Sequence, residues 1–161
     1  QIYNHVQVRF IAHTTEAKLV DEHEFFHKGE SGGTFCHSAY DLAIHLIETE
    51  YNPARWNIYP FHFSDGEDFD PGKTVASAKR LFQLGINMLG YGEIQTDLYG
   101  TSSLMDTFKS ELDLERRYFT MSDFETFSGK DQRTPFVGTV LKDKSHVYLT
   151  LKEFLRKERS F

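Results

Sequence analysis

The sequence has 161 residues and a formal net charge of −6, and 39% of its residues are hydrophobic and 26% are charged. This composition is typical of one globular domain, and because Lys and Arg are not concentrated in any stretch, it argues against nucleic acid as the main partner. The single cysteine, Cys36, excludes an internal disulfide, and no apolar run approaches the roughly 18 residues of a spanning helix, so we expect a cytoplasmic protein without a membrane partner.

Apolar periodicity predicts strands and helices that alternate along the chain. The predicted strands, in chain order, are residues 5–13, 17–20, 56–64, 91–95 and 135–141. The predicted helices are residues 35–51, 73–89, 102–112 and 147–157, and residues 118–124 are either a strand or a loop. Pro60 cannot donate to a ladder, so a bulge or a strand edge is expected there. The alternation predicts a three-layer α/β fold, in which a mostly parallel sheet carries helices on both faces and residues 1–161 form a single domain.

Two polar loops are predicted to meet at one edge of this sheet, because ligand crevices of such sheets lie at the carboxyl ends of the strands. Thr34 ends a glycine-rich loop before the first long helix, and Asp65 follows directly on a predicted strand. A hydroxyl and a carboxylate suit a hard cation such as Mg²⁺. The same two residues also fit a helix N-cap and a simple turn. The residues that would shape or support these loops are Ser31, Gly32, Gly33, Ser64, Gly66, Glu67 and Asp68.

Two histidines, His13 and His62, are predicted near the ends of neighbouring strands and close to this crevice. Either of them could bind a metal or sense pH. We favour the alternative, in which both are hydrogen-bonded and partly buried. Cys36 is expected to be a small packed residue.

Four sequence strings resemble the YhbH/YeaH family of bacterial proteins associated with stress and sporulation. They are VQVRFIAHTTEAK, FFHKGESGGT, YNPARWNIYPFHFSDG and GYGEI (Gly90 to Ile94). The resemblance extends more weakly to the C-terminal helix, so it covers nearly the whole chain. That family is similar to von Willebrand factor A domains, and this similarity implies a protein-binding fold and not an enzyme.

The similarity also implies a metal-ion-dependent adhesion site, in which Mg²⁺ or Mn²⁺ bridges to an acidic group of a partner protein. Thr34 matches the threonine of that site and Asp65 matches its aspartate. The Asp-x-Ser-x-Ser motif of the opening strand is absent from this sequence, which implies an incomplete domain that lacks its first strand and first helix. We therefore expect weak or absent metal binding by this chain alone. We expect either that upstream sequence supplies the missing strand, or that the chain repairs its sheet by self-association or rearrangement. The family implies a PrkA-type serine kinase or a SpoVR-type protein as partner.

A different chemistry is suggested by residues 23–27, which spell HEFFH and match the HExxH pattern of zinc proteases. His23 and His27 would bind zinc, Glu24 would act as general base, and Glu48 is the best candidate for a third ligand. Only about two helical turns fit here, so Phe25 and Phe26 more simply anchor the segment to the core. A scaffold that has lost metal binding is a further alternative.

Overall fold

The computed structural model describes residues 5–27, 34–95 and 103–156. Its strands are β1 (Phe10–His13), β2 (Ala17–Val20), β3 (Phe61–Ser64), β4 (Leu89–Ile94), β5 (Leu114–Phe119), β6 (Phe124–Gly129) and β7 (Phe136–Leu141). Its α-helices are α1 (Glu22–His27), α2 (Cys36–Thr49), α3 (Pro71–Leu84), α4 (Leu104–Glu111) and α5 (Ser145–Phe154). None of these helices is long and apolar enough to cross a membrane.

Five strands form one mixed sheet in the order β3-β4-β7-β6-β5. β3, β4 and β7 are parallel, whereas β6 is antiparallel to β7 and β5 is antiparallel to β6. The undecided residues 118–124 span the end of β5, a short 3-10 turn (Thr120–Ser122), Asp123 with a φ of 48°, and the first residue of β6. The predicted α/β fold is therefore confirmed, but only one half of the sheet is parallel because residues 114–129 return as a hairpin.

Helices cover both faces of this sheet, which makes three layers. On one face α2, α3 and α4 pack against apolar side chains of the central strands, including Leu89, Tyr91 and Phe136. On the other face α5 contacts β7, and Phe154 clusters with Met88 and Val137. Alternate residues of β4 and β7 thus enter different cores, as the period of a strand requires.

The hairpin of β1 and β2 forms a ladder of its own and does not pair with the five-stranded sheet. The first strand is shorter than predicted, because residues 5–9 are not in a strand and Val6 and Val8 are 72% and 65% exposed. β3 lies at the edge of its sheet. In the described part of the chain, β1 and β3 therefore each have a strand partner on one side only.

Two other boundaries differ from the sequence expectation for local reasons. β3 begins directly after Pro60, whose carbonyl accepts a hydrogen bond from the Gly90 N–H at 2.9 Å, so the proline lies at the strand entrance and not within it. α3 ends at Leu84 because Gly85 adopts a left-handed φ of 87°. Leu89, predicted to lie in this helix, is the first residue of β4.

Candidate metal centre

The carboxyl ends of β3 and β4 lie side by side, with Ser64 in register with Glu93. We call this edge of the sheet, with Ser64, Gly66, Tyr91 and Glu93, the rim. A chain of hydrogen bonds runs across it. The Gly66 N–H donates to Ser64 Oγ at 3.2 Å, Ser64 Oγ lies 3.0 Å from the Tyr91 hydroxyl, and that hydroxyl donates to Glu93 Oε2 at 2.8 Å. Because the tyrosine proton is directed to Glu93, the Ser64 hydroxyl must donate to Tyr91. Burial and the neighbouring Glu93 raise the pKa of Tyr91, so it remains a donor at neutral pH.

Glu93 is buried beneath the loop that follows β3. Its Oε2 also accepts the N–H of Met105 at 2.8 Å, in the first turn of α4, where the helix dipole favours a carboxylate. Gly66 lies directly over this carboxylate, since a Cβ on Gly66 would be 2.8 Å from Glu93 Cδ. Gly66 also has a φ of +87°, which disfavours a side chain independently. The sequence prediction included Gly66 but missed Glu93, whose only signal was an acidic residue in an otherwise apolar strand.

The loops that carry Thr34 and Asp65 are joined at this rim. The Phe69 N–H donates to the Thr34 carbonyl at 2.9 Å. Asp65 is exposed, and its Oδ1 accepts the Glu67 N–H at 3.0 Å, as in a simple turn. The N-cap of α2 is Phe35, so the N-cap interpretation of Thr34 is wrong. Within the described residues, no hydrogen bond joins the Thr34 hydroxyl to Asp65, and Ser31, Gly32 and Gly33 lie outside the described residues.

Asp68 connects this loop to two helices. Its Oδ1 accepts the Cys36 N–H at 3.3 Å and the Asp70 N–H at 3.1 Å, and its Oδ2 accepts the Thr74 hydroxyl at 2.5 Å. Asp70 in turn caps α3 by accepting the Lys73 N–H. Glu67, also predicted to support the site, is exposed, and its carbonyl lies 3.8 Å from Cys36 Sγ. Asp68 therefore positions the loop from within, and Asp65 presents a carboxylate outward.

His13 and His62 are in contact beside this loop. Their Nε2 atoms lie 3.2 Å apart, and His62 Nδ1 is 3.0 Å from the Tyr40 hydroxyl, so both histidines are hydrogen-bonded, with His13 partly buried and His62 buried. Burial lowers the pKa of His62 to about 3 and also lowers the pKa of His13, so both rings are neutral at pH 7.

Cys36 is the third donor beside the two histidines. One donor atom from each of His13, Cys36 and His62 lies within 4.8 Å of the others. Cys36 is fully buried, as expected for a small packed residue. Burial, together with the nearby Asp68 carboxylate, raises the pKa of its thiol. The sequence predicted His13 and His62 near the same crevice, but it gave no sign that Cys36 lies beside them.

The HEFFH segment does not assemble a ligand set with Glu48. α1 has six residues, and its imidazole rings, His23 and His27, stack with centroids 4.2 Å apart. Glu48 instead pairs with Arg80 at 2.8 Å. Phe25 and Phe26 pack against Phe10 but are 43% and 66% exposed, so the prediction that they enter the core is wrong.

Together, the fold and the rim define a three-layer α/β protein with a loop-built polar site at the carboxyl ends of parallel strands. The chain belongs to the family described as "Protein of unknown function (DUF444)", which matches residues 1–158. It is 41% identical over 158 residues to UPF0229 proteins of Bacillus thuringiensis (strain Al Hakam), Bacillus cereus (strain G9842) and Bacillus anthracis (strain A0248). Each match covers 97% of this chain and 35% of the relative, so the chain spans about a third of the length of these curated relatives. No solved structure matches the chain.

Proposed function

We propose that this chain is a von Willebrand A-like, metal-dependent protein-binding domain and not an enzyme. Mg²⁺ or Mn²⁺ would bind between the loops that carry Thr34 and Asp65 and would bridge to an acidic group of another protein. The observation that carries the proposal is the hydrogen bond from the Phe69 N–H to the Thr34 carbonyl, 2.9 Å long. It joins two loops that are distant in sequence, which supports a site that uses the Thr34 hydroxyl and the Asp65 carboxylate.

The charge and shape of the rim support this proposal. Asp65 is exposed and uses only one carboxylate oxygen in a hydrogen bond among the described residues. Asp68 and Glu93 add negative charge below it and are held by their own hydrogen bonds. Mg²⁺ keeps several waters and takes few protein ligands, so an open shell could accept a carboxylate from a partner.

An aromatic side chain beside the acidic loop supports a protein as the partner. Phe69 is 64% exposed and packs edge-on against Phe35, with ring centroids 5.4 Å apart. Exposed aromatic residues at the centre of a patch are enriched in protein–protein interfaces. In a bacterial stress or sporulation setting, a PrkA-type serine kinase or a SpoVR-type protein is the proposed partner, and the cytoplasm is the proposed compartment.

The one-sided pairing of β1 and β3 supports an incomplete metal shell. A strand between them, with further oxygen ligands at its end, would pair both edges and raise the affinity for the cation. In this proposal the longer relatives carry such a strand outside the matched region, and the chain alone pairs with a second copy. Weak cation binding by the chain alone follows.

The test is thermal unfolding with and without Mg²⁺ or Mn²⁺. A site with a Kd of about 1 mM would gain about 1.4 kcal/mol at about 10 mM cation, which raises Tm by about 3–5 °C. Asp65→Ala should abolish this increase. Asp131→Ala is the matched control. Asp131 Oδ1 accepts the N–H of Arg133, two residues later in the chain, at 2.9 Å, just as Asp65 accepts the N–H of Glu67. Asp131 lies elsewhere, in the turn before β7. An equal increase in both variants contradicts the site, and no increase in the unmodified chain supports a scaffold without metal.

A further inference from the structure

Three nitrogen and sulfur donors converge from three different elements next to the oxygen-rich rim. His13 ends β1, Cys36 begins α2, and His62 lies within β3. One donor atom of each lies within 4.8 Å of the others, and this is the only such group of three among the residues that the structure describes. Cys36 and His62 are buried, at 0% and 8% exposed, and His13 is half-buried.

The spacing suits a tetrahedral metal ion. Zinc bonds of about 2.0–2.1 Å to nitrogen and about 2.3 Å to sulfur place neighbouring ligand atoms about 3.3–3.6 Å apart. The two Nε2 atoms are already 3.2 Å apart. Small side-chain rotations that bring Cys36 Sγ closer would therefore complete three corners of a tetrahedron around an ion.

The hydrogen bonds around the group favour ligand geometry. If His62 Nδ1–H donates to the Tyr40 hydroxyl, 3.0 Å away, the lone pair of its Nε2 faces His13. Such a partner on the far nitrogen is the usual way in which proteins orient a metal-binding histidine. His13 Nδ1 is buried without a hydrogen-bond partner in the described part of the chain. The other nitrogen of His13, Nε2, is the one directed at His62 and available as a ligand.

We infer that His13, Cys36 and His62 form a binding site for a zinc-class ion. The donor set of two imidazoles and one thiolate selects zinc or cobalt over Mg²⁺, which prefers oxygen. Binding replaces the thiol proton with the metal, and that proton leaves to solvent, while the ring proton of His13 moves from Nε2 to Nδ1 so that both Nε2 lone pairs face the ion. The nearby carboxylates of Asp68 and Asp65 partly balance the charge of the cation. The fourth position is free for water or another ligand.

The site would have a structural consequence. No ladder joins the hairpin of β1 and β2 to the five-stranded sheet within the described residues. A metal held by His13 and His62 would link that hairpin to β3, with Cys36 adding the start of α2. Metal binding of this kind adds directly to folding stability.

Cobalt titration followed by absorption spectroscopy tests the inference, because Co²⁺ substitutes for zinc and a thiolate ligand gives a charge-transfer band. We expect one Co²⁺ per chain with this band, displaced by Zn²⁺. Cys36→Ser should remove the band and weaken binding by more than the roughly 10–100-fold that follows when a metal-binding side chain loses a hydrogen-bond partner. If Cys36→Ser fails to fold in EDTA, as judged by circular dichroism, His13→Gln serves instead, and it should weaken binding to the same extent while leaving the residue polar.

Two control variants separate this site from the other metal hypotheses. Asp65→Ala should retain cobalt binding, so failure of the rim proposal and failure of this one are distinguishable. His23→Ala should also retain it. Absence of the thiolate band in the unmodified chain, or loss of cobalt binding in His23→Ala with full binding in the Cys36 or His13 variant, overturns the inference.

Discussion

Replacing Gly66 by alanine should destabilise the protein strongly, because two separate costs add at this position. An L-residue at a φ of +87° destabilises the folded state by about 1–2 kcal/mol. Alanine also lowers the conformational entropy of the unfolded chain, which offsets about 0.4–1 kcal/mol of this loss. The new Cβ would also lie 2.9 Å from Glu93 Oε2, the atom that accepts from Tyr91 and Met105. Displacing this carboxylate breaks a hydrogen bond to a charged group, which costs about 1.5–3 kcal/mol. We therefore expect a loss of about 2–4 kcal/mol.

Gly85 is the matched control for this substitution. It has the same φ of +87°, but a Cβ there would meet only Pro53 Cβ at 3.8 Å, an ordinary contact. Gly85→Ala should therefore cost only about 1 kcal/mol, from backbone strain alone. Urea unfolding followed by circular dichroism measures both, and with a slope of about 2 kcal/mol per M the midpoints should differ by roughly 1 M.

A double-mutant cycle tests the cause of the difference. In a Glu93→Ala background the carboxylate is absent, so Gly66→Ala should cost about as much as Gly85→Ala. Equal losses for the two glycine variants in the unmodified background would refute the reasoning, because they would show that Glu93 yields to the added methyl group without cost.

Two further changes address the buried groups beside the rim. Because burial lowers the pKa of His62 from 6.5 to about 3, the unfolded chain binds a proton here before the folded chain does. The stability contributed by neutral His62 is therefore complete above pH 6.5 and is lost as the pH falls toward about 3, at up to about 1.4 kcal/mol per pH unit. Urea midpoints in EDTA at pH 7 and pH 5 should show this loss, and it should be smaller in His62→Gln; an unchanged pH dependence would contradict it. Thr74→Val should cost about 1.5–3 kcal/mol because it removes the bond to Asp68, whereas Thr74→Ser keeps the hydroxyl and should lose only about 1 kcal/mol. Similar losses for the two Thr74 variants in urea unfolding would mean that the hydroxyl contributes little.

The parts of the fold that the sequence predicted well are those with a strong, one-sided apolar period. α2 and α3 each bury a stripe against the sheet, with Ala39, Ile47, Val75 and Leu81 among its members, so helical spacing was visible. The rim loops were also predictable, because polar residues follow directly on the apolar strand β3. The structure joins the segment of Thr34 to the loop after β3 through the Phe69 N–H, although only Asp65 follows directly on a strand.

The hairpin of β5 and β6 was harder to predict because its outer strand carries little apolar signal. β5 reads LERRYF, and its central residues face solvent, so no alternation marks it as half-buried. In residues 5–9 the sequence predicted a strand that the structure does not contain. Val6 and Val8 alternate as in a strand, but they are exposed because nothing in the described structure covers them.

The group of His13, Cys36 and His62 depends on contacts between segments far apart in the chain. The predicted strand ends placed His13 and His62 near one crevice, but local spacing carries no information about their contact with Cys36. The HEFFH pattern instead pointed to a six-residue helix that assembles no ligand set with Glu48. Glu93 was missed for a different reason. An acidic residue in the otherwise apolar strand β4 is the sign that a sequence gives of a buried, hydrogen-bonded carboxylate.

The two outer edges of the five-stranded sheet differ in chemistry. On β5 the residues Glu115, Arg116 and Arg117 are exposed, and charges of this kind hinder the approach of another strand. On β3 the exposed rings of Phe61 and Phe63 lie over Gly90 and Gly92, where any Cβ would collide with them, so this edge is flat, aromatic and uncharged. A strand of another molecule should therefore pair with β3 and not with β5. Aggregation of this chain at high concentration should proceed through β3, and a lysine in place of Phe63 should slow it.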